Sequence, residues 1–295
     1  MSAGPGTARR PFGERLAAAM DAHGPLCVGI DPHPGLLAAW GLPDDATGLR
    51  EFGLRVVDAV GGQVAAIKPQ SALFERHGSR GVAALEEVLA AAAAAGPSGT
   101  LTIVDAKRGD IGSTMAGYAD AYLRDGSPLA GDALTVSPYL GFGSLTPAVE
   151  AALETGRGLF VLCLTSNPEG AQVQHARTGA GADVRSVAAR IAAEAAVLND
   201  GVRPLGSVGL VVGATIGDAA RGAGVDLPAV NGPLLAPGVG AQGAGAAELA
   251  TVFGDARRQV LASSSRGVLA AGPDAAALLA AARSASREAA EALRG

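Results

Sequence analysis

The sequence predicts an α/β fold in a single domain: a (β/α)8 barrel, the TIM-barrel class. Three observations carry this expectation. Short apolar runs recur eight times along the 295 residues and alternate with Ala/Leu-rich stretches of helical period. Each run is apolar on both faces, as parallel strands covered by helices require. Polar residues of mixed type follow nearly every run, which fits a ring of loops at one barrel mouth. An open doubly wound sheet would use fewer strands and gather its ligand near one switch point.

Taken in order, the runs are Leu26 to Ile30, Val64 to Ile67, Leu101 to Val104, Ala133 to Val136, Leu159 to Leu164, Val208 to Val212, Pro233 to Ala236 and Gln259 to Ala262. Each stops at polar, Gly or Pro residues, such as Asp31-Pro32, Lys68-Pro69, Ser137-Pro138 and Pro237-Gly238, which cannot extend a buried strand. Helices are expected over Ala83 to Ala94, Met115 to Arg124, Val184 to Leu198, Ala246 to Phe253 and Asp274 to Leu293. The alanine run Ala91 to Ala95 reads as helix rather than low complexity, given alanine's propensity. Neither a repeat nor a linker divides the chain, so residues 1–295 are expected to form one domain, with residues 1–11 a flexible N-terminal segment.

With 48% hydrophobic side chains the chain can bury a large core. Its net charge of −5 and lack of a Lys/Arg cluster argue against a nucleic-acid partner or an anionic membrane surface. The longest apolar run, Val88 to Ala95, is too short to span a bilayer, and no apolar stretch follows the arginines of the N-terminus as a secretory signal would need. The expected location is the cytoplasm and the expected partner a small molecule. Cys27 and Cys163 lie in apolar runs and read as buried, reduced thiols. His23, His33, His77 and His175 show no metal-ligand spacing, so no metal site is expected.

Among 23 basic residues only two are lysines, Lys68 and Lys107. A chain that meets its need for solvated positive charge with arginine keeps lysine where guanidinium fails. Lysine offers a compact ammonium able to give up a proton. Both lysines fall just after strands, at the mouth where a barrel gathers its chemistry. The first strand runs into Asp31, the second into Lys68, the third into Asp105-Ala106-Lys107-Arg108-Gly109-Asp110. Asp105 and Lys107, two apart on an extended segment, are expected to point the same way. An alternating Lys68, Asp105, Lys107, Asp110 set in one small volume follows, each charge compensated by the next. A rim ion-pair network would explain one such pair. Four alternating charges that include both lysines point instead to chemistry.

The string Asp105-Ala-Lys107-Arg-Gly-Asp110-Ile111-Gly-Ser-Thr114 resembles the signature of the orotidine 5′-phosphate decarboxylase family. The segments Gly29-Ile-Asp31-Pro, Ile67-Lys68-Pro-Gln70 and Pro237-Gly-Val-Gly-Ala-Gln242 resemble its other strand ends in order, over roughly Leu26 to Gly267. The Lys-Pro-Gln motif is that of the long bacterial type. The resemblance implies decarboxylation of orotidine 5′-phosphate to UMP by a homodimer without metal or cofactor. It puts Asp31 and Lys68 on the ribose hydroxyls, Asp105 near the departing carboxylate and Lys107 as proton donor to C6. Asp110, Ile111 and Thr114 would reach across a dimer interface into the other subunit's pocket, and Gln242 and Arg266 would hold the phosphate. Ser166 would hydrogen-bond the pyrimidine, or Thr165 if the alignment slips by one. Where several relatives carry glycine before that arginine, this chain has Ser265.

Physical reasoning supports this division of labour. A substrate carboxylate against Asp105 would meet like-charge repulsion on the order of 4 kcal/mol at about 4 Å and an effective dielectric near 20. Loss of CO2 relieves it, and an ammonium aimed at C6 would stabilise and protonate the carbanion left behind.

The phosphate end is expected at the loops after strands seven and eight, where Gly238-Val-Gly240-Ala-Gln242-Gly243 and Ser263-Ser-Ser265-Arg266-Gly267 lie. The first also satisfies a dinucleotide-binding glycine string, but it follows the seventh strand rather than opening an N-terminal βαβ unit, which rejects that reading. The stretch Thr165 to Asp183 is longer than most barrel loops and is a candidate lid, with a plain surface insertion as the alternative. Ser137-Pro-Tyr139 is a candidate pocket wall or an ordinary structural turn. Asp183, Arg185 and Arg190 read as solvated charge on a helix face. Two rival functions stay open: a Mg2+-dependent sugar-phosphate decarboxylase or aldolase sharing the Asp-x-Lys-x-x-Asp string, and a silent barrel that binds a phosphorylated ligand. Lys68 and the Ser166 region favour the nucleotide enzyme, and the charge array argues against the silent binder.

Overall fold

Eight parallel strands close on themselves in chain order. They are β1 (Leu26–Ile30), β2 (Ala66–Pro69), β3 (Leu101–Arg108), β4 (Ala133–Val136), β5 (Gly158–Leu164), β6 (Val208–Val212), β7 (Leu234–Pro237) and β8 (Val260–Ser264). The computed structural model describes residues 9–95, 99–239 and 243–294. Closure comes from β1 against β8, with Leu26 opposite Ala262 and Val28 opposite Ser264. The expected (β/α)8 barrel is the architecture found.

The period of two along each strand sorts side chains into two cores. Leu26, Val28 and Ile30 face the outer helices, within the large cluster between sheet and helices. Cys27, Ala66, Leu101, Ile103, Ala133, Phe160, Leu235 and Leu261 fill the barrel interior. The same parity carries inward-facing positions to the C-terminal mouth. Two residues beyond Ala66, Ile103, Ala133 and Leu261 come Lys68, Asp105, Thr135 and Ser263. The packed interior thus ends in a polar layer.

The opposite mouth is sealed by helix Phe12–His23. The Phe12 ring meets Phe160 edge-on at 5.9 Å, and a side chain at Gly158 would collide with it. Arg9 donates to the Thr155 carbonyl at 2.7 Å and pairs with Asp125, so the segment expected to be free as far as residue 11 is anchored from residue 9. Residues 1–8 of that expectation lie outside the described residues. Cys27 and Cys163 are buried free thiols, and burial pushes both up to about 12.

Strands one, four and six match their expected limits, while β2 and β3 run further. β2 extends through Lys68 to Pro69, and β3 through Lys107 to Arg108 with a register shift after Val104. The helix expected from Val184 starts at Val187, because the Ser186 hydroxyl accepts from the Ala189 N–H at 2.9 Å and caps it there. Of Asp183, Arg185 and Arg190, only Arg190 therefore lies on this helix; Asp183 ends a 3₁₀ turn and pairs with it at 2.9 Å. The candidate lid is not an irregular loop. It folds into a short helix Ala171–Gln174 and a two-residue hairpin pairing Arg177–Thr178 with Arg185–Ser186. Among the described residues no helix is long and apolar enough to cross a membrane.

Candidate active site

A cavity of about 740 Å3 opens at the C-terminal mouth, lined by Asp31, Lys68, Gln70, Asp105, Lys107 and Thr135 on one side and by Gly238, Ser263, Ser265 and Arg266 on the other. Register builds the charged side. Gly29 of β1 lies opposite Lys68, and Gln70 bridges to Asp105 just beyond β2.

Asp105 is the hub. Its Oδ2 accepts from Lys68 Nζ at 2.6 Å and Gln70 Nε2 at 3.1 Å, and its Oδ1 from Lys107 Nζ at 2.6 Å and Thr135 Oγ1 at 2.8 Å. Burial alone would raise its pKa. The two ammoniums and their hydrogen bonds more than reverse this and hold the carboxyl well below the usual range. For Lys68, burial favours the neutral amine, yet the charges of Asp105 and Asp31 prevail and its pKa is raised. The two lysines differ in access. The Lys68 side chain is 9% exposed and the Lys107 side chain 43%, so Lys107 presents the ammonium that an incoming molecule can meet.

Lys107 does not continue an extended segment as expected. Its φ of +47° lies in the left-handed region, which costs a non-glycine residue about 1–2 kcal/mol. Side-chain parity therefore does not direct it. The backbone turns at Lys107, and the turn returns the ammonium to Asp105. Asp110 departs from expectation too. Its carboxylate accepts from the Ile111 N–H at 2.8 Å and lines no part of the cavity, so the compact array is Lys68, Asp105 and Lys107 with Asp31 in the fourth place. Asp31 lines the cavity, and its Oδ1 is buried without a hydrogen-bond partner among the described residues.

Ile111 and Thr114 are exposed outside the cavity, Ile111 at 61%. Arg266 lines it at the start of helix Arg266–Leu269, whereas Gln242 lies outside the described residues. Ser265 packs over β1, and a Cβ on Gly29 would collide with its hydroxyl, which explains why this strand end needs glycine. The Thr165 hydroxyl is engaged by Gln174 at 2.7 Å and Asn167 at 2.6 Å, while Ser166 is exposed. Ser137, Pro138 and Tyr139 line a separate flanking cavity of about 510 Å3 with Asn167, Gln174 and Arg190. Sequence reasoning gave no role to Gln70 or Thr135. The lone hydroxyl in the apolar run of β4 was the available signal for the latter. Among the described residues no three His, Cys, Asp or Glu side chains group to hold a metal ion.

Fold and site together define a barrel enzyme whose chemistry rests on a buried carboxylate held between two ammoniums, with a second polar arc across the same mouth. A profile of the orotidine 5′-phosphate decarboxylase / HUMPS family matches residues 24–281, and the chain belongs to this family. It is 61% identical over 271 residues to an orotidine 5′-phosphate decarboxylase of Salinispora arenicola, covering 92% of this chain and 94% of that one. It is 60% identical over 268 residues to that of Streptomyces coelicolor, covering 91% and 93%. A crystal structure of a Streptomyces avermitilis chain given the same assignment superposes with a TM-score of 0.92 at 58% identity over 100% of both chains.

Proposed function

We propose that this chain decarboxylates orotidine 5′-phosphate to UMP and CO2, the last step of pyrimidine nucleotide synthesis, as a carboxy-lyase of the cytoplasm. The observation that carries the reading is Asp105 saturated by donors between Lys68 and Lys107, with Lys107 the accessible ammonium. A substrate carboxylate entering beside Asp105 meets a charge that stays ionised, and the repulsion falls away with CO2. Lys107 then releases Asp105 to hold the negative charge developing at C6 and gives C6 a proton. Lys68 and Asp31, which both line the cavity, remain to bind ribose hydroxyls.

Arg266, with Gly238 and Gly243 on the same cavity wall, forms the phosphate end, and Gln242 is assigned there by resemblance. Ser166 serves the pyrimidine, since Thr165 spends its hydroxyl on Gln174 and Asn167. The functional unit is a homodimer in which Asp110, Ile111 and Thr114 complete the partner's pocket. Exposed Ile111, Tyr139 and Leu140 suit such an interface. The Lys68 ammonium sits on the carboxylate a divalent cation would need, which disfavours the sugar-phosphate reading.

The test is ultraviolet absorbance of purified protein with orotidine 5′-phosphate, with and without EDTA. EDTA-resistant conversion to UMP is expected, and no conversion would reject the reading. Lys107→Ala should lower turnover by at least 10²- to 10⁴-fold while UMP still raises the Tm, because the proton donor is lost and the phosphate grip is kept. Full activity in that variant would sink the role of Lys107.

A further inference from the structure

We propose that Thr135 is a positioning residue whose hydroxyl ties the Asp105 carboxylate to the left-handed backbone of Lys107. The inference rests on the decarboxylase reading only for its kinetic consequence. One hydroxyl makes two bonds of opposite sense. It accepts from the Lys107 backbone N–H at 2.9 Å and donates to Asp105 Oδ1 at 2.8 Å. That same Oδ1 accepts from Lys107 Nζ at 2.6 Å, so Asp105, Thr135 and both ends of Lys107 close a ring.

The ring explains two features at once. Lys107 holds φ +47° within a strand whose register to β4 shifts between Val104 and Arg108. Its N–H, turned out of the regular ladder by that shift, finds its acceptor in a β4 side chain. Thr135 itself is 1% exposed and sits on the inward face two residues beyond Ala133, where it lines the cavity beside Asp105 and Lys107. A valine would fill the same shape and leave the part-buried Lys107 N–H without this acceptor. The Lys107 turn would then lose the bond that fixes it, and the proton donor would aim less well.

The test compares Thr135→Val, which removes the hydroxyl, with Thr135→Ser, which keeps it and removes the methyl. The expected result is a kcat loss on the order of 10- to 100-fold for Val with KM within about threefold, and Ser within about threefold of the parent. Equal losses in Val and Ser would make Thr135 a packing residue and overturn the proposal, as would parental kcat in Val. Circular dichroism checks folding. Should Val fail to fold, Thr135→Ala against Thr135→Ser is judged by the same criterion.

A crystal structure of a folded hydroxyl-less variant reads the inference without substrate. Lys107 leaving the left-handed region or its ammonium leaving Asp105 supports it, and unchanged geometry at both overturns it. A parent protein inert toward orotidine 5′-phosphate would reject the function proposed above while this comparison still decides the role of Thr135.

Discussion

Asp105 and Lys68 stabilise each other only while both are charged, and the signs set a pH window. The folded pKa of Asp105 lies below its ordinary 3.8, so its contribution is present above 3.8 and disappears as pH falls through the folded value. The folded pKa of Lys68 lies above 10.5, so its contribution is complete below 10.5 and disappears as pH rises through the folded value. Lys68→Met removes the cation that lowers Asp105 most. Its folded pKa should rise and the midpoint of acid unfolding should move to higher pH, with about 3–5 kcal/mol lost at neutral pH for a buried charge left short of its partner. Circular dichroism against pH measures this, and coincident acid transitions in variant and parent would contradict it. For Arg266→Ala, weaker nucleotide binding by about 1.5–3 kcal/mol is expected, partly restored by added guanidinium ion in the turnover assay. Absence of rescue would remove Arg266 from the phosphate site. Both lysines and Asp105 were legible in the sequence because a lysine-poor chain exposes its exceptions. Thr135 and the Lys107 turn were not, since a bulge and a positive φ arise from the pairing of β3 with β4 rather than from local sequence.

At the level of elements, the strand pattern read well where a run was apolar on both sides and stopped at Gly, Pro or a charge. It failed at β2 and β3, because charged residues stood inside the strand and looked like its end. Helix Phe12–His23 escaped notice because a bottom plug has no place in the βα alternation, and the hairpin Arg177–Thr178 with Arg185–Ser186 is too short to leave a period. One inter-element contact gives a prediction of its own. Ser265, after β8, lies on Gly29 of β1, and a Cβ there would also approach Asp31 Oδ2 to 3.2 Å. Gly29→Ala should therefore cost about 1–3 kcal/mol of stability and reduce the rise in Tm given by UMP. Gly29→Ala with Ser265→Gly should recover most of both. If thermal melts of the double variant stay as low as those of the single one, the clash lies elsewhere.

For the whole molecule, the open question is why Asp110, Ile111 and Thr114 sit beside the site without entering it. Asp110 belongs to the charge-rich segment after β3, yet among the described residues its carboxylate bonds only its neighbour's N–H. Ile111, Tyr139 and Leu140, from the ends of β3 and β4, stand exposed on the same side of the barrel. A symmetric dimer through this face would bury them and carry Asp110 to the partner's cavity. If so, Lys107→Ala and Asp110→Ala damage different halves of one composite site. Each variant alone should be nearly inactive. Unfolding and refolding an equal mixture should then restore about a quarter of parental turnover, because half the dimers are mixed and each mixed dimer holds one site with both residues intact. The assay is orotidine 5′-phosphate turnover before and after mixing, with sedimentation to confirm dimers. A mixture no more active than its components would place Asp110 in its own subunit's chemistry or outside the reaction altogether.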